Sequence, residues 1–139
     1  MTTATLKKDF VDPRDIYQAP WQFHQAIKVT GGALLFVSGI VGRLPNGDVP
    51  KGDVVRQAEL AYANLERVLA AAGGSMRDIV KTNVYVHANA DYGSVRDALR
   101  EVRGRYFTAD HPATTLLQVP GFANPDYLFE IEAVAALDG

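Results

Sequence analysis

The sequence predicts an α+β domain, a sheet covered on one face by two helices. Three observations lead there. Short β-rich runs alternate with two stretches whose apolar residues recur at three and four. The element order reads β-β-α-β-α-β-β, and each helical stretch carries its own start and stop signals. The chain's 139 residues suit one domain spanning 1–139, within the ~100–150 residues that domains most often have.

The first twenty residues, with Asp12-Pro13 and Ala19-Pro20, read as irregular, because X-Pro steps disfavour helix. Tyr17, Trp21 and Phe23 form an aromatic group, suited to core or interface packing or to a pocket wall. Gln25 to Thr30 and Ala33 to Ser38 are separated by Gly31-Gly32, a hairpin signal, since tight primed turns need positive φ. A loop follows to Gly52, with Asn46-Gly47 as a turn marker. Asp53 is placed to cap the first helix, whose stripe is Val54, Ala58, Ala61, Leu65, Val68 and Ala72, ended by Gly73-Gly74. Ile79 to His87 alternates, with Thr82, Val84 and Val86 on one face and Asn83, Tyr85 and His87 on the other. Asp91 caps a second helix with the stripe Val95, Ala98/Leu99, Val102 and Tyr106. Thr115–Val119 and Tyr127–Ala136 supply the last strands.

Two helices cover one face of such a sheet, so the opposite apolar face is expected to pack against other copies of the chain. Net charge is −2, from 14 basic and 16 acidic residues, which disfavours nucleic acid as a partner. Arg96, Arg100, Arg103 and Arg105 form one local basic cluster, whose simplest reading is a solvated helix face. No run approaches the ~18 apolar residues of a membrane span, and the N-terminus lacks a signal-peptide core. The absence of cysteine rules out disulfides and thiolate chemistry, and the expected location is the cytoplasm.

The most chemical-looking segment is Tyr127-Leu128-Phe129-Glu130-Ile131-Glu132-Ala133. In a strand Glu130 and Glu132 share a face, ~6.6 Å apart along the chain, while Tyr127, Phe129, Ile131 and Ala133 point into the core. Carboxylates beside apolar surface are candidates for raised pKa and acid–base work; the competing reading is an exposed acidic strand face. Ser38 ends a strand before Gly39, yet no Gly-x-Ser-x-Gly elbow surrounds it. His24, His87 and His111 have no metal-ligand spacing, so no metal is expected.

Several segments then occur in a familiar order: Phe23-His24-Gln25-Ala26, Leu35-Phe36-Val37-Ser38-Gly39, Gln57-Ala58 with Asn64-Leu65, and Leu69-Ala70-Ala71-Ala72-Gly73. Asp78-Ile79-Val80-Lys81-Thr82, Tyr106-Phe107, Pro112-Ala113 and Glu130-Ile131-Glu132-Ala133 complete the series. In these the chain, from about residue 20 to 136, closely resembles the RidA/YjgF family of reactive-intermediate deaminases. The resemblance implies a chorismate-mutase-like α+β fold with a mixed sheet, and a homotrimer with clefts between subunits. It also implies hydrolysis of enamines and imines to keto acid and ammonia without a cofactor. It places the acid–base role on Glu130 and a backbone contact to ligand at Gly39, beside Ser38.

The sequence departs from the family pattern where substrate is held. The family's Pro-Ala-Arg, whose arginine grips the substrate carboxylate, reads Pro112-Ala113-Thr114 here. The cleft tyrosine falls on Phe23, a second-helix asparagine on Arg96, and a small strand residue on Leu116. These changes imply a redirected substrate, an anionic or carbonyl-containing small molecule, with Thr114 and Ser38 as polar contacts, Phe23 and Leu116 as walls and Arg96 as the anion contact. The alternative expectation is a non-catalytic trimer that binds a metabolite or acts as a chaperone-like or regulatory protein.

Overall fold

The computed structural model describes residues 4–18, 20 and 22–139; Trp21 of the aromatic group lies outside them. Strands β1 (Lys7–Val11) and β2 (Ala26–Thr30) form an antiparallel ribbon, Lys7 opposite Thr30 and Val11 opposite Ala26. After β3 (Ala33–Val41) come α1 (Val54–Ala71), β4 (Ile79–His87), α2 (Tyr92–Tyr106), β5 (Ala113–Val119) and β6 (Phe129–Leu137). The main sheet has the order β3-β6-β4-β5; β4 and β5 are parallel and the other pairs antiparallel. It is therefore a mixed sheet with two helices packed on it.

Two expectations about the first third of the chain are corrected. The N-terminal segment is not wholly irregular, since it contains β1, and β2 pairs with β1 rather than forming a hairpin with β3. β1 is too charged (Lys7-Lys8-Asp9-Phe10-Val11) to show an apolar alternation, so its pairing leaves no periodic mark in the sequence. Gly31 and Gly32 do adopt positive φ, both at 72°. A side chain on Gly31 would strike the carbonyl oxygens of Ala4 and Thr5. The glycine pair therefore lets the chain cross under its own N-terminus instead of turning back on itself.

The helices follow their local signals more closely. The Asp53 carboxylate accepts from the Arg56 N–H at 3.0 Å and caps α1. Gly73, at φ 81°, closes it: its N–H reaches Ala70 O at 3.0 Å and the Gly74 N–H reaches Leu69 O at 2.8 Å. The buried stripe runs through Val54, Ala58, Ala61, Leu65 and Leu69. Val68 and Ala72 are exposed, because after Leu65 the 3.6-residue period takes a step of four rather than three. Full burial of each leucine stabilises the fold by about 1.5–3 kcal/mol. Asp91 precedes α2 with φ 51°, but its carboxylate accepts from the Ser94 hydroxyl at 2.6 Å and not from a backbone N–H. On α2 the buried residues are Leu99, Val102 and, against expectation, Arg103, whereas Ala98 is exposed.

Gln57 ties α1 to the sheet. Its amide donates to the carbonyls of Pro50 and Asp126, both at 2.9 Å, and accepts from the Leu128 N–H at 2.8 Å. Gly42 packs so close to the Gln57 backbone that a Cβ there would collide with it. Together these contacts fix how β6, with its two glutamates, enters the sheet.

Candidate functional site

β4 and β6 alternate as their sequences suggest: Thr82, Val84, Phe129, Ile131 and Ala133 are buried under the helices. Asn83, Tyr85, Glu130 and Glu132 line the open face. There the two carboxyls have unlike surroundings. Glu132 accepts from the Tyr85 hydroxyl at 2.6 Å and from the Asn83 amide at 2.9 Å, and these bonds hold its pKa below the ordinary value. Glu130 is pushed up, first by desolvation and then by the neighbouring Glu132 charge. Two acids of one strand thus titrate apart, an arrangement suited to separate acid and base roles.

The register of β3 against β6 shifts between Val37, opposite Ala133, and Ile40, opposite Ile131. Ser38 and Gly39 occupy this bulge, a feature that re-aims side chains. Gly39 lies against the Glu130 carboxyl so closely that any side chain there would collide with it. Ser38 is exposed and borders a depression with Phe36, Lys81, Asn83 and Glu132. Glu130, Ser38 and Gly39 therefore share one region of the open face.

Phe23, Arg96, Thr114 and Leu116 are gathered elsewhere. They line a cavity of about 530 Å³ on the helix side, between α2 and β5, with Leu99, Arg100 and Arg103 among the other walls. Thr114 shares a hydrogen bond of 2.8 Å with buried Thr82, whereas Thr115 points to the opposite face and accepts from Lys81 Nζ at 3.1 Å. The sheet thus divides the sequence-predicted residues into two groups on its two faces. A single chain does not bring Glu130 to Thr114.

The basic cluster of α2 also divides. Arg105 pairs with Glu59 at 3.2 Å and Glu101 at 3.3 Å. Arg96 and Arg100 reach Asp97 at 3.5 and 3.9 Å while bordering the cavity. Arg103 donates to the Thr114 hydroxyl at 2.7 Å. Reading the arginines as one solvated face missed this residue; the available signal was the spacing of 96, 100 and 103, which falls on a single helical face.

The three histidines lie apart in role: His24 pairs with Asp12 at 2.7 Å, and the His87 ring accepts from the Asn89 N–H at 3.0 Å. The His111 ring, whose Nδ1 is buried without a partner, has its pKa lowered by burial first and then by the Arg103 charge. No group of three His, Cys, Asp or Glu side chains able to hold a metal occurs among the described residues. Nor is any described helix long and apolar enough to cross a membrane.

Fold and site define an α+β protein with paired carboxylates on one sheet face and an arginine-lined recess of small-molecule size behind it. The family described as Endoribonuclease L-PSP matches residues 16–137, and the chain belongs to it, the family also known as RidA/YjgF. The 3-aminoacrylate deaminase RutC of Acinetobacter baylyi is 34% identical over 103 residues, covering 73% of this chain and 78% of that protein. The mouse 2-iminobutanoate/2-iminopropanoate deaminase is 34% identical over 114 residues, covering 81% of this chain and 79% of the relative. In structure, the Rid-family protein YyfB of Yersinia pestis is similar with a TM-score of 0.84 at 30% identity, over 94% of this chain and 98% of that one.

Proposed function

We propose that this protein binds and hydrolyses a small enamine, imine or related carbonyl compound in a cleft completed by a second copy of the chain. The observation that carries the reading is Glu130: a carboxyl with a raised pKa, packed on a bulge glycine and set beside a glutamate held ionised. The names of the deaminase relatives support the reaction class. The division of the site between two sheet faces supports the need for a second copy, and the family resemblance suggests three copies in all. The net charge of −2 favours small ligands over a polynucleotide.

An imine carbon is electrophilic, so the protein has to hold the substrate, orient a water and move protons. Water oxygen adds to the C=N carbon while Glu130 accepts a water proton. Glu130 delivers that proton to nitrogen, giving a neutral carbinolamine. A second relay through Glu130 takes the hydroxyl proton and passes it to the amino nitrogen, and the C–N bond breaks as the C=O forms and ammonia leaves. A group with a pKa nearer neutrality than an ordinary carboxyl is suited to both transfers.

Ammonia release from freshly generated 2-carbon to 4-carbon imino acids tests this directly. Wild type is expected to accelerate it and Glu130→Gln to lose most of that acceleration, on the order of 10²-fold or more for a lost acid–base group. Equal rates for the two proteins would rule Glu130 out. No acceleration by wild type on any imine would leave the metabolite-binding or chaperone-like reading.

A further inference from the structure

Arg103 is 8% exposed, and its guanidinium reaches neutral oxygens. Nη1 donates to the Tyr62 hydroxyl at 3.3 Å. Nη2 approaches the Thr114 hydroxyl at 2.7 Å, the Thr82 hydroxyl at 3.3 Å and the Gln22 carbonyl at 3.5 Å. The guanidinium also lies over the Phe107 ring, 4.7 Å from its centre. Among the described residues no carboxylate forms an ion pair with it. A buried cation is costly unless an anion offsets it, and uncharged hydroxyls offset it in part. The unbalanced charge borders the cavity between α2 and β5, whose lining includes Arg96, Arg100 and Arg103 and no acidic residue.

We propose that Arg103 grips the ligand's carboxylate, with the Thr114 hydroxyl beside it, so that the guanidinium comes from helix α2 instead of strand β5. The site then takes a short 2-keto, 2-imino or enamine acid: the carboxylate at Arg103 and the aliphatic body against Leu99, Leu116, Val84 and Phe129. This rests on the reading of the site as one for imine-derived compounds and supplies the anion contact that Thr114 by itself cannot. A threonine hydroxyl offers one neutral donor, whereas a guanidinium offers a fixed set of charged ones. The arrangement also explains why threonine suits position 114. An arginine there would lie against the Arg103 guanidinium and repel it, so the two positions hold one arginine between them.

The test is calorimetric titration with 2-oxobutanoate, the keto acid left when a four-carbon imino acid loses ammonia, on wild type, Arg103→Met, Arg103→Lys, Arg105→Ala and the double variant Arg103→Leu/Thr114→Arg. Thermal melting establishes folding of each. Wild type is expected to bind, and Arg105→Ala to match it. Arg103→Met should bind roughly 10- to 100-fold more weakly, the factor carried by a lost charge-assisted hydrogen bond. Arg103→Lys, with its point charge, should recover part of the loss, and the double variant, which returns the guanidinium to the strand, should recover most of it. Folded Arg103→Met binding as wild type does would overturn the proposal, as would a wild type that does not bind the keto acid. If Arg103→Met fails to fold, the double variant decides: folded and binding supports the swap, folded and not binding refutes it. Arg103-dependent binding without ammonia release would keep the carboxylate site and sink the hydrolytic reading. Ammonia release indifferent to Arg103→Met would do the reverse.

Discussion

Glu130 and Glu132 show how far two like residues on one strand can diverge. Their shared face follows from the two-residue period of a strand and is legible in the sequence. Their opposite shifts are not, because Tyr85 and Asn83, which hold Glu132 down, stand on β4, and the burial that raises Glu130 comes only with the folded sheet. The shifts imply opposite effects on stability. Folding raises the Glu130 pKa, so ionising it costs the folded state, and the cost grows as pH rises above the ordinary 4.5. Glu130→Gln should therefore melt higher than wild type near neutral pH, with the gain vanishing in acid. The lowered Glu132 pKa stabilises the fold above 4.5, and that stability is lost as pH falls. Glu132→Gln should melt lower at neutral pH and converge on wild type in acid. Melting curves across that range check both signs, and a shared sign would contradict the assigned environments.

At the scale of elements, what depends on near neighbours is readable and what depends on distant ones is not. Asp53 as a cap and Gly73 as a left-handed stop act within one helical turn, and both occur as the sequence suggests. Gly73→Val is expected to cost about 1–2 kcal/mol, the price of a side chain in that conformation, measured by urea unfolding. Gln57 gives no such local sign. A polar residue on an apolar helix stripe reads as a break in pattern until Pro50, Asp126 and Leu128 are seen around it. Gln57→Leu leaves buried carbonyls and an N–H unpaired and should destabilise by about 3 kcal/mol, again by urea unfolding. A loss below about 0.5 kcal/mol, the range of ordinary surface substitutions, would show that water replaces the amide. The misassigned β2–β3 hairpin has the same origin, since the choice of β1 as partner rests on pairing across residues 7–30 that the Gly31-Gly32 signal does not encode.

For the whole molecule, the uncovered sheet face sets the main expectation. Phe36 is 74%, Leu34 56% and Leu117 51% exposed in the single chain, on strands at opposite edges of the sheet. Apolar surface left open in this way is expected to pack against other copies of the chain. Phe36→Glu should lower the sedimenting mass relative to wild type and reduce ammonia release with it, because the cleft is proposed to need two chains. A variant that stays associated and active would place the contact elsewhere.

The sequence by itself determined the α+β class, the helix limits, the facing of β4 and β6 and membership of the family, because each rests on periodicity, caps or short segments close along the chain. The tertiary structure decided which strand β2 joins, which glutamate is raised, and that the candidate residues fall on two faces of the sheet. It also decided that Arg103 turns from a helix-surface series to meet Thr114. These depend on groups far apart in sequence whose burial and charge act through space, so the pattern along the chain does not fix them.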